Sequence, residues 1–391
     1  MSLTTVRERR SPRDDFLSLE SSTIWDIWPK LASSAPFVRL GDWPTPVQSM
    51  VELGRSLSLV GELYVKRDDR SSPVCGGNKV RPLEVLFGFA RRRGATKIFA
   101  TGAFGSNHAV ATVLHAPRAG LEAGAVLFPQ PVSPSAVENV RVTVSRAARF
   151  VALPHWSALP FGMAWTRRSE EARGARPFFM VPGGATPIGA LGYVNAALEL
   201  AQQVARDELP PPSAIVVPAG STCTAAGFLV GFALAARLGI GFAEGSSLAP
   251  PPELVAVNVT PRIVSNETRI VALARRTARL VASLARDESL DVERALLARH
   301  LTVDGRFLGR GYGYDTPEGR RAVSAFRETT GLALDPIYSG KAAAAFIDRA
   351  RRRPGVTLFW ATKSSAPLPA VTLPEQLPRS VARFIERLSR R

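Results

Sequence analysis

Short apolar segments alternate with helical ones along most of this chain, and that alternation constrains its fold more than any other feature. Residues 214–219 read AIVVPA, which is apolar on both faces of a strand, and residues 224–239 carry the helical pattern TAAGFLVGFALAARLG. Strands without a polar face are typical of parallel sheets that helices cover on both sides, so we predict an α/β fold. The other predicted strands are 62–68, 97–101, 122–128, 149–154, 178–182, 253–259 and 357–362, and the other predicted helices are 81–94, 106–120, 135–148 and 187–204.

Composition excludes several classes of protein. Cys75 and Cys223 are the two cysteines among 391 residues, so a disulfide framework and a four-cysteine zinc site are excluded. The four histidines lack metal-ligand spacing, and we expect no bound metal. An apolar content of 46% is enough for a sizeable core.

Charge and hydropathy indicate the kind of partner. The formal net charge is +17, but the arginines are scattered rather than concentrated on one helix, so we expect no nucleic-acid partner and a positive field that attracts small anions. No apolar run reaches the about 18–20 residues that a membrane span needs. Residues 1–16 carry both charge signs without an apolar stretch, which is not typical of a secretory signal, and we expect a cytoplasmic protein.

The first candidate site is the segment 75–79, CGGNK, directly before a predicted helix. Glycines let the backbone approach a ligand closely, and a desolvated lysine such as Lys79 can form a Schiff base. Taken alone, the segment is more typical of a glycine turn whose lysine faces solvent.

Two further turns join a predicted strand to a predicted helix. Residues 220–224, GSTCT, offer the N–H groups of a helix N-terminus to a phosphate, although Ser or Thr there is equally typical of a simple helix cap. Residues 101–108, TGAFGSNH, place Ser106 and Asn107 at the carboxyl end of a strand, where α/β sheets bind ligands. A lysine, a phosphate-binding turn and a polar turn for a carboxylate are together what pyridoxal phosphate chemistry needs.

Several longer motifs make this interpretation more specific. They are Tyr64-Val-Lys-Arg-Asp-Asp, Gly76-Gly77-Asn78-Lys79-x-Arg81-x-Leu83-Glu84, Gly102-x-x-x-Ser106-Asn107-His108, Pro182-Gly183-Gly184 with Gly189-x-x-Gly192-Tyr193, Gly311-Tyr312-Gly313 and Asp335-Pro336-x-Tyr338-Ser339-Gly340-Lys341. In these motifs, and in their order and spacing, the chain resembles the family of D-cysteine desulfhydrase and 1-aminocyclopropane-1-carboxylate deaminase. The resemblance covers roughly residues 36–370.

The resemblance implies the two-domain, tryptophan-synthase-β-like architecture of fold type II, with parallel sheets covered by helices. It also implies pyridoxal 5'-phosphate as cofactor, a small amino acid as substrate and a homodimer. We predict an N-terminal extension at 1–35, a larger cofactor-binding domain from 36–81 and 181–391, and a smaller domain at 82–180.

The resemblance implies roles for particular residues. Lys79 matches the lysine that holds the cofactor as a Schiff base, and Asn107 matches the asparagine at the ring 3'-oxygen. Ser106 matches a serine that contacts substrate and is nucleophile or base in the deaminase branch. Tyr338 and Tyr312 match two active-site tyrosines. The phosphate is expected to be held by Gly220, Ser221, Thr222, Cys223 and Thr224, and the substrate by Asn78, Ser106, Asn107, His108 and Thr362.

Ser339 bears on the reaction. The resemblance places it at the pyridine nitrogen, where the deaminase branch carries Glu. A carboxylate there keeps the nitrogen protonated and the ring strongly electron-withdrawing, whereas a hydroxyl leaves it neutral. Because expelling a thiolate needs a weaker electron sink than opening a cyclopropane, Ser339 favours the desulfhydrase branch. Thr362 favours the same branch, because the desulfhydrase branch has Thr at this position and the deaminase branch has Leu.

The chain also departs from the family. Ala361-Thr362-Lys363-Ser364 stands where the family has His-Thr-Gly-Gly, and Thr222 and Cys223 replace two glycines of the phosphate loop. We therefore predict a pyridoxal-phosphate-dependent lyase, most simply one that eliminates sulfide from D-cysteine to give pyruvate and ammonia. The alternatives are a cyclopropane deaminase or a racemase of the same fold, and a catalytically altered module that binds the cofactor or an amino acid.

Overall fold

The computed structural model describes residues 23–245 and 247–389, and its strands form two separate sheets. In the six-stranded sheet every neighbouring pair is parallel except β1 with β2. The four-stranded sheet is wholly parallel. In spatial order the strands are β1 (Val47–Ser49), β2 (Glu62–Lys66), β10 (Val356–Trp360), β7 (Ala214–Ala219), β8 (Glu253–Asn258) and β9 (Leu301–Asp304) in the first sheet, and β5 (Arg149–Ala152), β4 (Glu122–Phe128), β3 (Lys97–Ala103) and β6 (Pro177–Phe179) in the second.

Helices connect the strands and cover both sheets. They are α1 (Ile24–Ile27), α2 (Pro29–Ser34), α3 (Val51–Ser56), α4 (Val80–Arg92), α5 (Asn107–His115), α6 (Pro134–Arg146), α7 (Leu159–Glu171), α8 (Pro187–Ala205), α9 (Cys223–Leu238), α10 (Glu267–Ala285), α11 (Arg294–Arg299), α12 (Pro317–Thr330), α13 (Ser339–Arg352) and α14 (Arg379–Ser389). Short 3-10 turns lie at Asp68–Arg70, Ala116–Ala119, Trp156–Ala158, Pro182–Gly184 and Glu288–Leu290.

The apolar strands are buried on both faces, as predicted. On β7, Ile215 and Val217 pack into one apolar cluster and Val216 into another on the opposite face. On β3 of the smaller sheet, Ile98 and Phe99 likewise belong to different clusters. The prediction of an α/β fold with parallel sheets covered by helices is therefore confirmed.

Both chain ends of the described part are packed against the body of the protein. Within the predicted extension, Ile24 and Leu31 are fully buried in the core of the larger sheet, and Trp25 donates from its indole nitrogen to the Ala35 carbonyl over 2.8 Å. The rest of that extension, residues 1–22, lies outside the described residues. At the other end, Phe384 of α14 packs edge-on against Phe104, with ring centroids 5.3 Å apart.

The predicted division of the chain assigns residues 181–391 to the larger domain. Within that range, α14 contributes Val381 and Phe384 to the apolar cluster of the four-stranded sheet. No strand is shared between the two sheets in the described part of the chain. The domain boundaries at 82 and 181 stay a prediction. No described helix is long and apolar enough to cross a membrane.

Four buried charges, which we term the charge cluster, join β2, α4 and α8. The Arg81 guanidinium contacts Asp68 over 2.7 Å and Glu199 over 2.9 Å, and the Lys66 ammonium contacts Glu199 over 2.5 Å. Burial alone raises the pKa of Glu199, but Arg81 and Lys66 outweigh it and lower that pKa to about 2. Two positive and two negative charges therefore neutralise one another away from water.

We predict that Glu199→Gln destabilises the fold by about 3–5 kcal/mol, because it leaves buried positive charge without its partner. The measurement is urea-induced unfolding at neutral pH. Glu171→Gln is the matched control: Glu171 pairs with Arg167 on the exposed surface of α7 over 3.8 Å, and its loss costs less than about 1 kcal/mol.

The same pair of proteins gives a pH test. Because the pKa of folded Glu199 lies below its ordinary value of 4.5, its contribution is present above about pH 4.5 and is lost as the pH falls toward 2. The stability difference between wild type and Glu199→Gln must shrink over that window. A difference below about 1 kcal/mol at neutral pH would show that the charge cluster does not hold these elements together.

Candidate active site

Segments that follow β3, β7 and β10 lie close to the start of α4. Asn78, just before α4, donates from its side chain to the Thr224 hydroxyl over 3.3 Å and from its backbone to the Thr362 carbonyl over 2.9 Å. Residues far apart in sequence are therefore within contact of one loop. The structure thus brings the segment before α4 into contact with the segments after β7 and β10.

The loop before Lys79 is held by backbone hydrogen bonds. Gly77 donates to the Asp68 carbonyl over 2.7 Å, and Gly76 donates to the Ser364 hydroxyl over 2.9 Å. Gly77 has a φ of +90°, and a β-carbon there would lie 2.5 Å from the Thr362 carbonyl oxygen. Only glycine fits such a close approach of two backbones. The residues at 361–364 that depart from the family motif thus support the lysine loop.

The Lys79 amine is not engaged by any other side chain that the structure describes. Burial lowers its pKa, although part of the side chain reaches solvent. In the described part of the chain its amine has neither a hydrogen bond nor an ion pair, whereas Lys66 and Lys97 pair with carboxylates and Lys341 donates to two carbonyls. A lysine with a lowered pKa is more often a neutral amine, which is the nucleophilic form.

The turn after β7 is suited to an anion. Thr222 adopts a left-handed conformation with a φ of +65°, and α9 begins at the next residue, Cys223. Within the described residues, the backbone N–H groups of Ser221 and Thr222 make no hydrogen bond. Free N–H groups at a helix N-terminus bind phosphate. The Thr260 hydroxyl, bonded to the Gly220 carbonyl over 3.0 Å, steadies the turn from β8.

The 3-10 turn Pro182–Gly184 packs directly against this anion-binding turn. Gly183 has a φ of +67°, and a β-carbon on it would lie 2.3 Å from the Ser221 hydroxyl oxygen. The Cys223 thiol contacts the Gly184 carbonyl over 3.3 Å, and burial raises the pKa of that thiol to about 11. Cys223 is therefore a neutral, structural thiol.

The turn after β3 carries three predicted site residues, whose side chains differ in their hydrogen-bond partners. Ser106 caps α5 by accepting from the Ala109 N–H over 3.2 Å. The Asn107 amide oxygen accepts from Asn139 over 2.8 Å, so its NH2 group is left to donate to a ligand. Both ring nitrogens of buried His108 lack partners in the described structure, and burial, with Lys79 adding to it, lowers the His108 pKa to about 3. His108 is a neutral imidazole.

The two predicted tyrosines are in contact. The Tyr338 hydroxyl donates to that of Tyr312 over 2.9 Å, and Tyr312 donates to the side-chain oxygen of Gln130 over 3.3 Å. Gln130 and Asn139 were not predicted from the sequence. Gln130 follows the carboxyl end of β4, and that position in a parallel sheet is the signal that could have found it.

Ser339 begins α13 with its side chain fully buried. Its backbone N–H donates to the Asp335 carboxylate over 3.1 Å, and that carboxylate also accepts from the N–H groups of Ile337 and Tyr338. The Ser339 hydroxyl itself has no partner in the described structure. A buried hydroxyl without a partner is costly, so this one indicates a polar ligand atom at the site.

Comparison with known proteins agrees with this chemistry. The sequence profile described as "pyridoxal-phosphate dependent enzyme" matches residues 38–361. The chain belongs to this family. Pyridoxal phosphate is therefore its cofactor, and the expected resemblance is confirmed.

Individual relatives carry different activities. The enzyme is 34% identical to nocardicin C-9' epimerase from Nocardia uniformis subsp. tsuyamanensis, over 78% of this chain and 86% of that protein. It is also 34% identical to a D-cysteine desulfhydrase of Salmonella paratyphi C (strain RKS4594), over 80% of this chain and 88% of that one.

Solved structures agree on the architecture. The crystal structure of an ACC deaminase homologue is 28% identical, with a TM-score of 0.68, over 88% of this chain and 95% of the other. A threonine deaminase from Solanum lycopersicum, at 13% identity and a TM-score of 0.52 over 94% of this chain and 88% of that one, shares the fold alone. The tryptophan-synthase-β-like fold is confirmed.

The residues present fit the cofactor. The unpaired amine can react with the aldehyde of pyridoxal phosphate, and the turn of free N–H groups can bind its phosphate. The buried hydroxyl without a partner can hydrogen-bond to its ring nitrogen. These three features come from Lys79, the turn 220–224 and Ser339. The individual roles remain proposals.

We predict that Lys79→Ala abolishes covalent attachment of the cofactor, because no other described lysine amine is both unpaired and desolvated. The measurement is borohydride reduction of the loaded protein followed by mass spectrometry of its peptides. Lys363→Ala is the control and keeps the label on the peptide that contains Lys79. A label on a different lysine contradicts the assignment.

We predict that Gly183→Ala weakens cofactor affinity by about tenfold or more, the equivalent of losing about one hydrogen bond, because the added methyl displaces Ser221. Gly174→Ala is a matched control: its φ is +80°, but a β-carbon there meets nothing within 4 Å. Equilibrium dialysis with pyridoxal phosphate measures both. Equal affinities would place the phosphate elsewhere.

Proposed function

We propose that this enzyme catalyses α,β-elimination on a small amino acid that carries a β-thiol, most simply D-cysteine. One water is consumed, and sulfide, pyruvate and ammonia are the products. The observation that carries the proposal is Ser339, whose buried hydroxyl is the group available to a ring nitrogen. The 34% identity to a D-cysteine desulfhydrase supports the same substrate class.

The charge around Ser339 supports a neutral ring nitrogen. The Asp335 carboxylate, which accepts from the Ser339 N–H, also accepts from two other backbone N–H groups and stabilises the start of α13. It is therefore not free to hold a proton on a ring nitrogen. A serine hydroxyl can share a hydrogen bond with that nitrogen but does not force its protonation.

Each side chain has a role in this scheme. Lys79 would hold the cofactor covalently, the N–H groups of residues 220–224 would bind its phosphate, and Asn107 would donate to its ring oxygen. When bound, the cofactor supplies an electron-withdrawing ring that stabilises negative charge on the substrate α-carbon. Ser106 and His108 would bind the substrate carboxylate, and neutral His108 can do so as an N–H donor.

A neutral ring suits elimination better than ring opening. A neutral ring would stabilise negative charge on the substrate α-carbon less, so a reaction would succeed only if its leaving group departs readily. A thiolate does so, whereas a cyclopropane carbon does not. Ser339 therefore argues against a cyclopropane deaminase.

Epimerisation is the second candidate function. The support for it is that nocardicin C-9' epimerase is as similar to this chain as the desulfhydrase is. Epimerisation removes the same α-proton but returns it to the other face, with no leaving group. We also propose a homodimer, which sedimentation equilibrium of the loaded enzyme tests.

We predict that Ser339→Glu raises the ratio of cyclopropane deamination to D-cysteine elimination by about tenfold or more, since each 1.36 kcal/mol of carbanion stabilisation changes a rate about tenfold. Ser339→Ala is the matched control, because it removes the hydroxyl without adding charge and keeps the preference for D-cysteine. Pyruvate, 2-oxobutyrate and sulfide are measured. Wild type that processes the cyclopropane substrate faster than D-cysteine overturns the proposal.

A further inference from the structure

Gln130 connects the two halves of the site. It lies in the loop after β4 of the smaller sheet, and its side-chain oxygen accepts from the Gly105 N–H over 3.1 Å and from the Tyr312 hydroxyl over 3.3 Å. Tyr312 in turn accepts from Tyr338 over 2.9 Å. We term Tyr338, Tyr312 and Gln130 the hydroxyl chain.

The loop after β4 contacts the segment after β9 at this point. Pro131, next to Gln130, lies so close to Gly313 that a β-carbon on Gly313 would be 3.0 Å from the proline ring. Gly313 and Tyr312 follow β9 of the larger sheet, whereas Gly105 precedes α5 on the smaller sheet. The oxygen of Gln130 is thus shared between a tyrosine of one sheet and the turn that carries Ser106 and Asn107.

The direction of the hydroxyl chain is forced. A backbone N–H can only donate, so the atom of Gln130 that faces Gly105 is the amide oxygen and not the nitrogen. An amide oxygen can only accept, so Tyr312 must donate its single hydrogen to Gln130. Tyr338 must then donate its own hydrogen to Tyr312. The Gln130 amide also hydrogen-bonds to Tyr338 and opposes the rise of its pKa, so Gln130 is the donor in that bond. One lone pair of the Tyr338 oxygen remains for a ligand.

The hydroxyl chain has no end that can store a proton. An amide is not a base at ordinary pH, so a proton passed along the chain would have no acceptor. Burial raises the pKa of Tyr312, and burial together with Tyr312 and Asp335 raises that of Tyr338 further. Both phenols therefore stay neutral.

We propose that Gln130 is a positioning residue that holds both tyrosines as donors toward itself, so that Tyr338 offers the substrate an accepting oxygen and removal of the α-proton falls to Lys79. The inference rests on the proposed function and narrows it. The α-proton passes to the lone pair of the Lys79 amine, and its bonding electrons stay on the substrate. The Tyr338 oxygen would accept a hydrogen bond from a substrate N–H or thiol S–H.

The test separates binding from proton transfer. Wild type, Tyr338→Phe, Gln130→Met and Gln130→Glu are loaded with pyridoxal phosphate. Exchange of the α-proton of D- and L-alanine in deuterium oxide is then followed by NMR, and KM and kcat for D-cysteine are measured. Alanine has no leaving group, so exchange reports the proton step alone. Gln48→Met is the matched control. Gln48 lies on β1, and its side-chain oxygen accepts a hydrogen bond from Arg67.

We expect Tyr338→Phe and Gln130→Met to raise KM about tenfold, as loss of one hydrogen bond does, while the alanine exchange rate at saturation stays within about threefold of wild type. Gln130→Glu keeps an accepting oxygen and recovers most of the lost affinity. Gln48→Met matches wild type.

The contrary results are equally definite. Alanine exchange that falls at least about a hundredfold in Tyr338→Phe, with the cofactor still attached to Lys79, would make Tyr338 the base. An unchanged KM in Gln130→Met would remove the positioning role, and wild type that exchanges neither enantiomer would contradict the inference as well. Exchange without sulfide release refutes the elimination alone and leaves the role of Gln130 standing.

Discussion

Neutralisation of the charge cluster is the constraint on which the site depends. Arg81 is two residues after Lys79, at the start of α4, and is bonded to Asp68 beyond β2 and to Glu199 on α8. Any shift of α4 would leave a buried charge unpaired, which costs several kcal/mol. Asp68 also contributes its carbonyl to the loop that carries Lys79. The charge cluster therefore fixes the position of Lys79 relative to the larger sheet. Its effect is on geometry more than on net stability.

No charge is carried by His108 and Cys223, which lie close to that fixed lysine, or by the pair Tyr312 and Tyr338. His108 is a neutral imidazole, Cys223 a neutral thiol, and Tyr312 and Tyr338 neutral phenols, each because burial disfavours its charged form. The Lys79 amine is left without a competing acid or base. Neutral surroundings suit a reaction in which one amine moves the proton and the other side chains orient the substrate.

The sequence predicted the layers and the local turns well, because those depend on local pattern. Strands 122–128 and 214–219 have the predicted bounds, and the loop before Lys79 contacts the segments after β7 and β10. The short strands β1 and β9 were missed, since three or four residues carry little periodicity. Gln130 was missed because its partner Tyr312 is 182 positions away, and only the packing of two sheets brings them together.

The proposed elimination depends on Ser339 leaving the pyridine nitrogen of the cofactor unprotonated. The most direct measurement is nitrogen-15 NMR of the enzyme loaded with pyridoxal phosphate labelled at the ring nitrogen. We expect the chemical shift of a neutral pyridine at neutral pH, and a change to the pyridinium shift in Ser339→Glu. A pyridinium shift in the wild-type enzyme would show that the ring nitrogen is protonated despite Ser339.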